Sequence, residues 1–195
     1  PEEVRPQIDT FKLILALTEK YHALVMNPPY MGRSGMNDLI TQYVRDNYAL
    51  GKWDLFATFM LVAINRLEIN AKMSMINMHS WMFLDAFDAL RMYFVKNFQI
   101  DNMLHLGPNT FDELSGEVVQ NTTFVISKNR PNHAGDYYKL STGNNCAAKE
   151  QLFLNDYGHY RNVNQLRFDT IPSCPIAYWL SINWLKLFGK QSIND

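Results

Sequence analysis

The stretch that limits the fold most is Ala23-Leu24-Val25-Met26-Asn27-Pro28-Pro29-Tyr30. Four apolar residues run straight toward two consecutive prolines. Such a run predicts a buried strand that stops at a rigid loop. Asn27 precedes a proline, which pushes its backbone toward extended conformations. Pro28 and Pro29 each have φ held near about −65°, and neither has an N–H. The loop therefore offers stiffly aimed acceptors, the Asn27 amide oxygen and the Pro28 carbonyl, beside the flat ring of Tyr30. Two such acceptors can hold both hydrogens of a planar amine and free its lone pair for attack on an electrophile. An aromatic ring can stack on a nucleobase, a contact worth about 1–3 kcal/mol, once that base has left its duplex. A strand that merely ends in a Pro-Pro turn satisfies the same four residues.

The rest of the chain suits one folded domain. It has 195 residues, 47% of them hydrophobic and 13% aromatic, enough to bury a sizeable core. A net charge of −1 shows no basic face, although a local patch can sit on a neutral protein. Cys146 and Cys174 form no metal or redox motif, and no apolar run reaches the ~18 residues of a membrane span. These features read as a cytoplasmic protein with reduced thiols and no membrane partner. His22, His79, His105, His133 and His159 have no metal-ligand spacing, so no metal is expected.

Periodicity predicts helices over 7–20, 38–48, 53–69, 84–98 and 176–188. It predicts strands over 22–26, 73–79, 99–106 and 137–140, with a pair of β segments at 118–119 and 122–126. Residues 141–170 show only weak periodicity. Asp54 falls in the first turn of the 53–69 helix, where a carboxylate favours the helix dipole. Alternating helix and strand argue for a parallel α/β sheet, and the β pair for an antiparallel addition at its edge. The loop Met31–Asn37 holds two glycines and Arg33. It reads equally as a phosphate-touching segment or a plain connection.

Several blocks, in order, carry a family resemblance. They are Asn-Pro-Pro-Tyr-Met-Gly at 27–32, Gly-Met-Asn at 35–37, Asp-Leu-Phe-Ala at 54–57 and Ser-Trp-Met-Phe-Leu at 80–84. His-Leu-Gly at 105–107, Gly-Glu-Val-Val-Gln at 116–120 and Pro-Ile-Ala-Tyr-Trp at 175–179 complete the set. Over residues 22–188 the chain resembles the PglX family, adenine-specific DNA methyltransferases of BREX phage-defence systems. The resemblance implies a class I, Rossmann-like methyltransferase fold: the later strands of a doubly wound sheet with an antiparallel strand pair, incomplete in this chain. Residues 1–128 would be the C-terminal half of the catalytic domain and 129–195 an extension toward a target-recognition region. S-adenosyl-L-methionine would be the methyl donor and adenine N6 the acceptor. Asn27, Pro28, Pro29 and Tyr30 would grip the amino group and stack on the base. Phe111 and Trp81 would sit against that base or its rim. Asp54, Leu55 and Phe56 would wall the cofactor pocket. Double-stranded DNA with a flipped adenine is the implied partner, with other defence-system proteins as further candidates. Stacking needs the ring and not the hydroxyl, so Tyr30→Phe is expected to be mild.

The departures are as specific. No glycine occurs in the first twenty residues, and Gly107, Gly143 and Gly189 belong to no Gly-x-Gly turn. The acidic ribose partner is missing, and His22 stands where the family opens its strand with an acidic residue. Ser173-Cys174 replaces the family's Gly-Ser. A sequence that begins at Pro1 and ends without a recognition region reads as a piece of a longer protein. Such a piece is expected to bind the cofactor weakly and to expose an apolar sheet edge. A non-catalytic DNA- or partner-binding module, or an enzyme acting on a protein glutamine, remain alternatives.

Overall fold

The computed structural model describes residues 4–111 and 119–188. The first element, α1 (Val4–Thr18), has the helical spacing its sequence predicts, yet its apolar side chains stay exposed, Phe11 to 66%. It feeds β1 (Tyr21–Met26), which ends at Asn27 as the prolines require. Next comes α2 (Asp38–Asn47), started by Asn37, whose Oδ1 accepts from Ile40 N at 2.9 Å. It is followed by α3 (Leu55–Arg66), β2 (Leu67–Met78), α4 (Asp88–Asn97) and β3 (Gln99–Gly107). Beyond these lie β4 (Asn121–Ser127), β5 (Gly135–Lys139), α5 (Cys146–Leu154), β6 (His159–Val163) and α6 (Ile182–Phe188).

The described strands form one mixed sheet in the order β1-β2-β4-β3-β5-β6. β1 and β2 are parallel, with Met26 beside Met75. β4 runs antiparallel between β2 and β3, with Asn77 opposite Thr122 and His105 opposite the same Thr122 on the other side. β5 is parallel to β3, and β6 closes the far edge antiparallel to β5. Phe56, Met60 and Ile64 of α3 and Leu90 and Phe94 of α4 share a buried cluster with Met73, Met75, Met103, Phe124 and Ile126 of the sheet. Each such side chain contributes about 1.5–3 kcal/mol relative to its exposed state.

Three expectations are corrected. First, β2 begins at Leu67, directly after α3, and not near 73. Leu67 and Ile69 continue the helical spacing, but Leu67 is fully buried in extended backbone. Asn70 then adopts a left-handed φ of 66° and donates its N–H to Lys128 O at 3.1 Å. Second, of the β pair expected at 118–119 and 122–126 the described residues hold one strand, β4, and it lies inside the sheet between β2 and β3. Val119 is loop, and Val118 lies outside the described residues. Third, residues 176–181 are not helical. Ile176 donates its N–H to Met82 O at 2.9 Å, and Ile176, Ala177 and Tyr178 turn inward. Residues beyond 128 take part in the same sheet and core. β5 extends the sheet, and Tyr137, Val163, Phe168 and Tyr178 join the common core.

Among the described residues β1 is hydrogen-bonded on one side only, and Val25 on it is 81% exposed. Together with the bare face of α1 this leaves an apolar surface at that end of the sheet. A different device ties the opposite region together. Arg91 of α4 is fully buried and faces backbone carbonyls alone. Its guanidinium donates to Trp81 O (2.9 Å), Leu84 O (2.7 Å), Cys174 O (3.0 Å) and Ser173 O (2.5 Å). Ser173 and Cys174 reach it through left-handed backbone, φ 62° and 49°. That conformation favours glycine, since a Cβ there is strained.

Arg91→Met strands several buried carbonyls and is expected to lower stability by about 3 kcal/mol or more. Ser173→Gly relieves left-handed strain and is expected to raise it by about 0.5–1 kcal/mol, after the entropy glycine loses on folding. Denaturant midpoints of the two variants, expected to move in opposite directions, check both.

Candidate active site

Three parallel strands, β1, β2 and β3, end on the same side of the sheet. Asn27, His79 and Gly107 leave them there, at the carboxyl ends where open α/β sheets bind ligands. Gly107 must be glycine: its φ is +70°, and an added Cβ would lie 2.7 Å from Ser141 Cβ.

The Asn27 loop is fixed on both sides. Before it, β1 is zipped to β2 up to Met26. After it, Met31 and Arg33 are strapped to the residues that precede α3. Met31 N donates to Asp54 Oδ1 at 3.0 Å, Leu55 N to Met31 O at 3.0 Å, and Arg33 N to Trp53 O at 3.0 Å. Asp54 also caps α3, accepting from Phe56 N at 3.2 Å. Burial pushes its carboxyl pKa up, and the N–H groups of Phe56, Met31 and Leu55 oppose that rise. Asp54 is thus the N-cap of the helix and the clasp of the loop together.

Within this frame Pro28 is buried while Asn27 and Pro29 are exposed. Among the described residues, neither the Asn27 amide nor the Pro28 carbonyl has a hydrogen-bond partner. Tyr30 is half-buried, its ring edge-on to Phe56 at 6.2 Å. Its hydroxyl donates to Ile76 O at 3.0 Å and accepts from Asn121 Nδ2 at 3.3 Å. Burial pushes the phenol pKa up. The hydroxyl therefore anchors the ring to β2 and β4. Asn121 escaped the sequence reading because its neighbour is 91 residues away.

The other expected residues are placed as follows. Phe111 is 40% exposed, beyond the turn at Gly107. Trp81 is fully buried, edge-on to Phe124, so it packs behind the rim instead of lining it. Phe56 is fully buried between Tyr30 and Phe87. With Asp54 turned onto backbone N–H groups, segment 54–56 frames the site.

A polar chain beside this end of the sheet also went unread. His105 Nε2 lies 2.9 Å from His79 Nδ1, and His105 Nδ1 lies 3.2 Å from the Tyr178 hydroxyl. Burial, then the neighbouring His79, Lys139 and Lys149, push the His105 pKa down to about 4. Among the described residues no third metal-ligating group joins the two imidazoles.

With this geometry in view, the relatives can be compared. The sequence profile of the Eco57I restriction-modification methylases matches residues 3–111. The chain belongs to that family. It is 39% identical over 178 residues to the adenine-specific methyltransferase BrxX of Escherichia coli O9:H4 (strain HS), covering 89% of this chain and 14% of that protein. It is 38% identical over 183 residues to the adenine-specific methyltransferase PglX of Lacticaseibacillus casei (strain Zhang), covering 91% and 15%. The chain thus spans about one seventh of the length of these curated relatives. A methyltransferase subunit of a type I restriction-modification system from Streptococcus thermophilus superposes with a TM-score of 0.51 at 22% identity, covering 72% of this chain and 32% of that one. The fold is a partial class I methyltransferase domain, and β1 to β4 are its later strands.

Tyr30→Phe removes the donor to Ile76 O and the acceptor of Asn121. It is expected to cost about 1 kcal/mol, and Asn121→Ala a similar amount. The two side chains share one contact, so the double variant should fall short of the sum by about 0.5 kcal/mol or more. A denaturation cycle measures this, and strict additivity would refute the anchor. For His105, the folded pKa lies below the value of about 6.5 in the unfolded chain. Stability is therefore full above pH 6.5 and lost as pH falls toward 4, by about 3 kcal/mol in all. Unfolding midpoints across that window should flatten in His105→Gln.

Proposed function

We propose that this chain is the target-base half of an enzyme that methylates adenine N6 in DNA, marking host DNA in a phage-defence system of the BREX type. The observation that carries the reading is the Asn27–Tyr30 loop. It holds two aimed acceptors that no described residue occupies, beside a ring clamped at its hydroxyl. The family membership and the names of the relatives support it.

In this reading a flipped adenine enters with its amino group toward Asn27 and its face on Tyr30. The Asn27 amide oxygen and the Pro28 carbonyl each accept one N–H. Holding both hydrogens pulls the lone pair out of conjugation with the ring and leaves the nitrogen a better nucleophile. Pro29 keeps the loop from relaxing, so the acceptors need no reorganisation as charge develops. Phe111, exposed beyond Gly107, is a second surface for the base. No strong general base is needed, because the alkylated nitrogen is acidic and sheds its own proton. Rate then comes from positioning and from electrostatics at the amino group. S-adenosyl-L-methionine as methyl donor, double-stranded DNA as substrate and other defence proteins as partners are proposed for the full-length protein, acting in the cytoplasm.

Asn27→Ala in the full-length protein removes one aimed acceptor, and single-turnover methylation of adenine-containing DNA should fall about 10²–10³-fold. Asn27 is exposed, so the folded state should survive unchanged. Near-normal methylation by a folded Asn27→Ala variant would overturn the assignment of this loop.

A further inference from the structure

The strap that fixes the Asn27 loop also builds a second feature. Arg33 stands three residues after Tyr30, at the start of a short 3-10 turn, Arg33–Gly35. Its N–H is bonded to Trp53 O, which places it beside Lys52 and Trp53. The Arg33 guanidinium lies 5.8 Å from the centroid of the Trp53 ring and the Lys52 ammonium 5.3 Å from it. The indole is 39% exposed, so one ring aims two cations. Arg45 of α2 and the Thr41 hydroxyl one turn before it complete the wall. Arg33, Thr41, Arg45 and Lys52 together line a cavity of about 180 Å³.

Three positive charges and a hydroxyl around one small cavity would repel one another unless an anion joins them. Among the described residues no carboxylate forms an ion pair with Arg33, Arg45 or Lys52. Asp38 and Asp46 line an adjoining cavity with Thr41, Gln42 and Arg45, so Arg45 borders both cavities, while neither carboxylate lines the one formed with Arg33 and Lys52. Arginine forks and lysine point charges are the side chains that recognise phosphate. The distance to the candidate base site is short: three residues of chain span at most about 11 Å.

We propose that the cavity formed by Arg33, Thr41, Arg45 and Lys52 binds a backbone phosphodiester of DNA, next to the nucleotide whose base stacks on Tyr30. The inference rests on the reading of the Asn27 loop as a target-base site and adds the contact that holds the strand. Arg33 and Lys52, aimed by Trp53, neutralise the phosphate, and Thr41 donates a hydrogen bond to it. The site reads no sequence; it registers the strand so that an extruded base meets the loop. A net charge of −1 for the whole chain is compatible with this, because the three cations are local.

The test uses the full-length protein and a fluorescein-labelled duplex of about 30 base pairs, with Kd measured by anisotropy over a potassium chloride series. Each phosphate neutralised steepens the dependence of log K on log[salt] by about 0.9. The double variant Arg33→Gln with Lys52→Gln is expected to weaken binding about tenfold at low salt and to flatten the slope by about 1. Lys72→Gln is a single-charge control. Lys72, in the middle of β2, pairs with Asp101 at 2.7 Å, and its loss should leave the slope unchanged. An unchanged slope in the double variant, or an equal change in Lys72→Gln, overturns the proposal. The readout is binding and does not depend on methylation, so Asn27→Ala separates the two ideas. That variant should keep the wild-type salt slope and lose activity. If it retains activity while the double variant flattens the slope, the target-base reading fails and the phosphate site stands.

Discussion

The candidate site depends on one carboxylate. Asp54 accepts from Phe56 N and from Met31 N with the same oxygen, in a position only 8% exposed. The first bond starts α3, and the second holds the chain leaving Tyr30. A stiff loop is useful only if both its ends are fixed. Prolines restrict φ within the loop, but they say nothing about where the loop points. The direction comes from β1 pairing with β2 on one side and from Asp54 on the other. Desolvation of Asp54 is the cost, and N–H groups at a helix start offset it.

The second requirement is the antiparallel strand inside the sheet. β4 separates β2 from β3, so a residue at its start lies beside the carboxyl end of β2. Asn121 reaches the Tyr30 hydroxyl from there, and Ile76 O reaches it from β2. The aromatic ring is then supported behind by Phe56 and held at its tip by polar groups. Its other surfaces are left for a ligand. The same insertion brings Thr122 between Asn77 and His105, which makes this end of the sheet a polar zone over an apolar core.

Arg91 plays the matching part on the other side of the fold. A buried guanidinium surrounded only by carbonyls joins the turn after β2 to Ser173 and Cys174, 82 and 83 residues away from it in sequence. Residues beyond 128 are thereby tied to the same sheet and core. Their strand β5 completes the sheet, and their carbonyls complete the coordination of Arg91. The turn that follows β2 is thereby set from both ends, by Arg91 below and by the His79 contact with His105 above.

Sequence alone determined the local pieces. The apolar run into Asn27-Pro28-Pro29-Tyr30, the spacing of α3 and α4 and the strands around 22–26 and 99–106 are written in nearest neighbours, where periodicity and proline chemistry suffice. The ordered blocks shared with the PglX family also carried the class of fold. What only the tertiary structure decided involves residues far apart in the chain. The start of β2 at Leu67 is set by β4 through Lys128, and periodicity could not register it because Leu67 and Ile69 also fit a helix. The clasp at Asp54, the Tyr30–Asn121 contact and the Arg91 bonds to Ser173 and Cys174 pair single polar groups over 23 to 91 residues, and no local pattern marks such a pairing. The cationic cavity is of the same kind. Arg33, Arg45 and Lys52 are unremarkable one at a time, and they become a site only when a backbone strap places Arg33 beside Trp53.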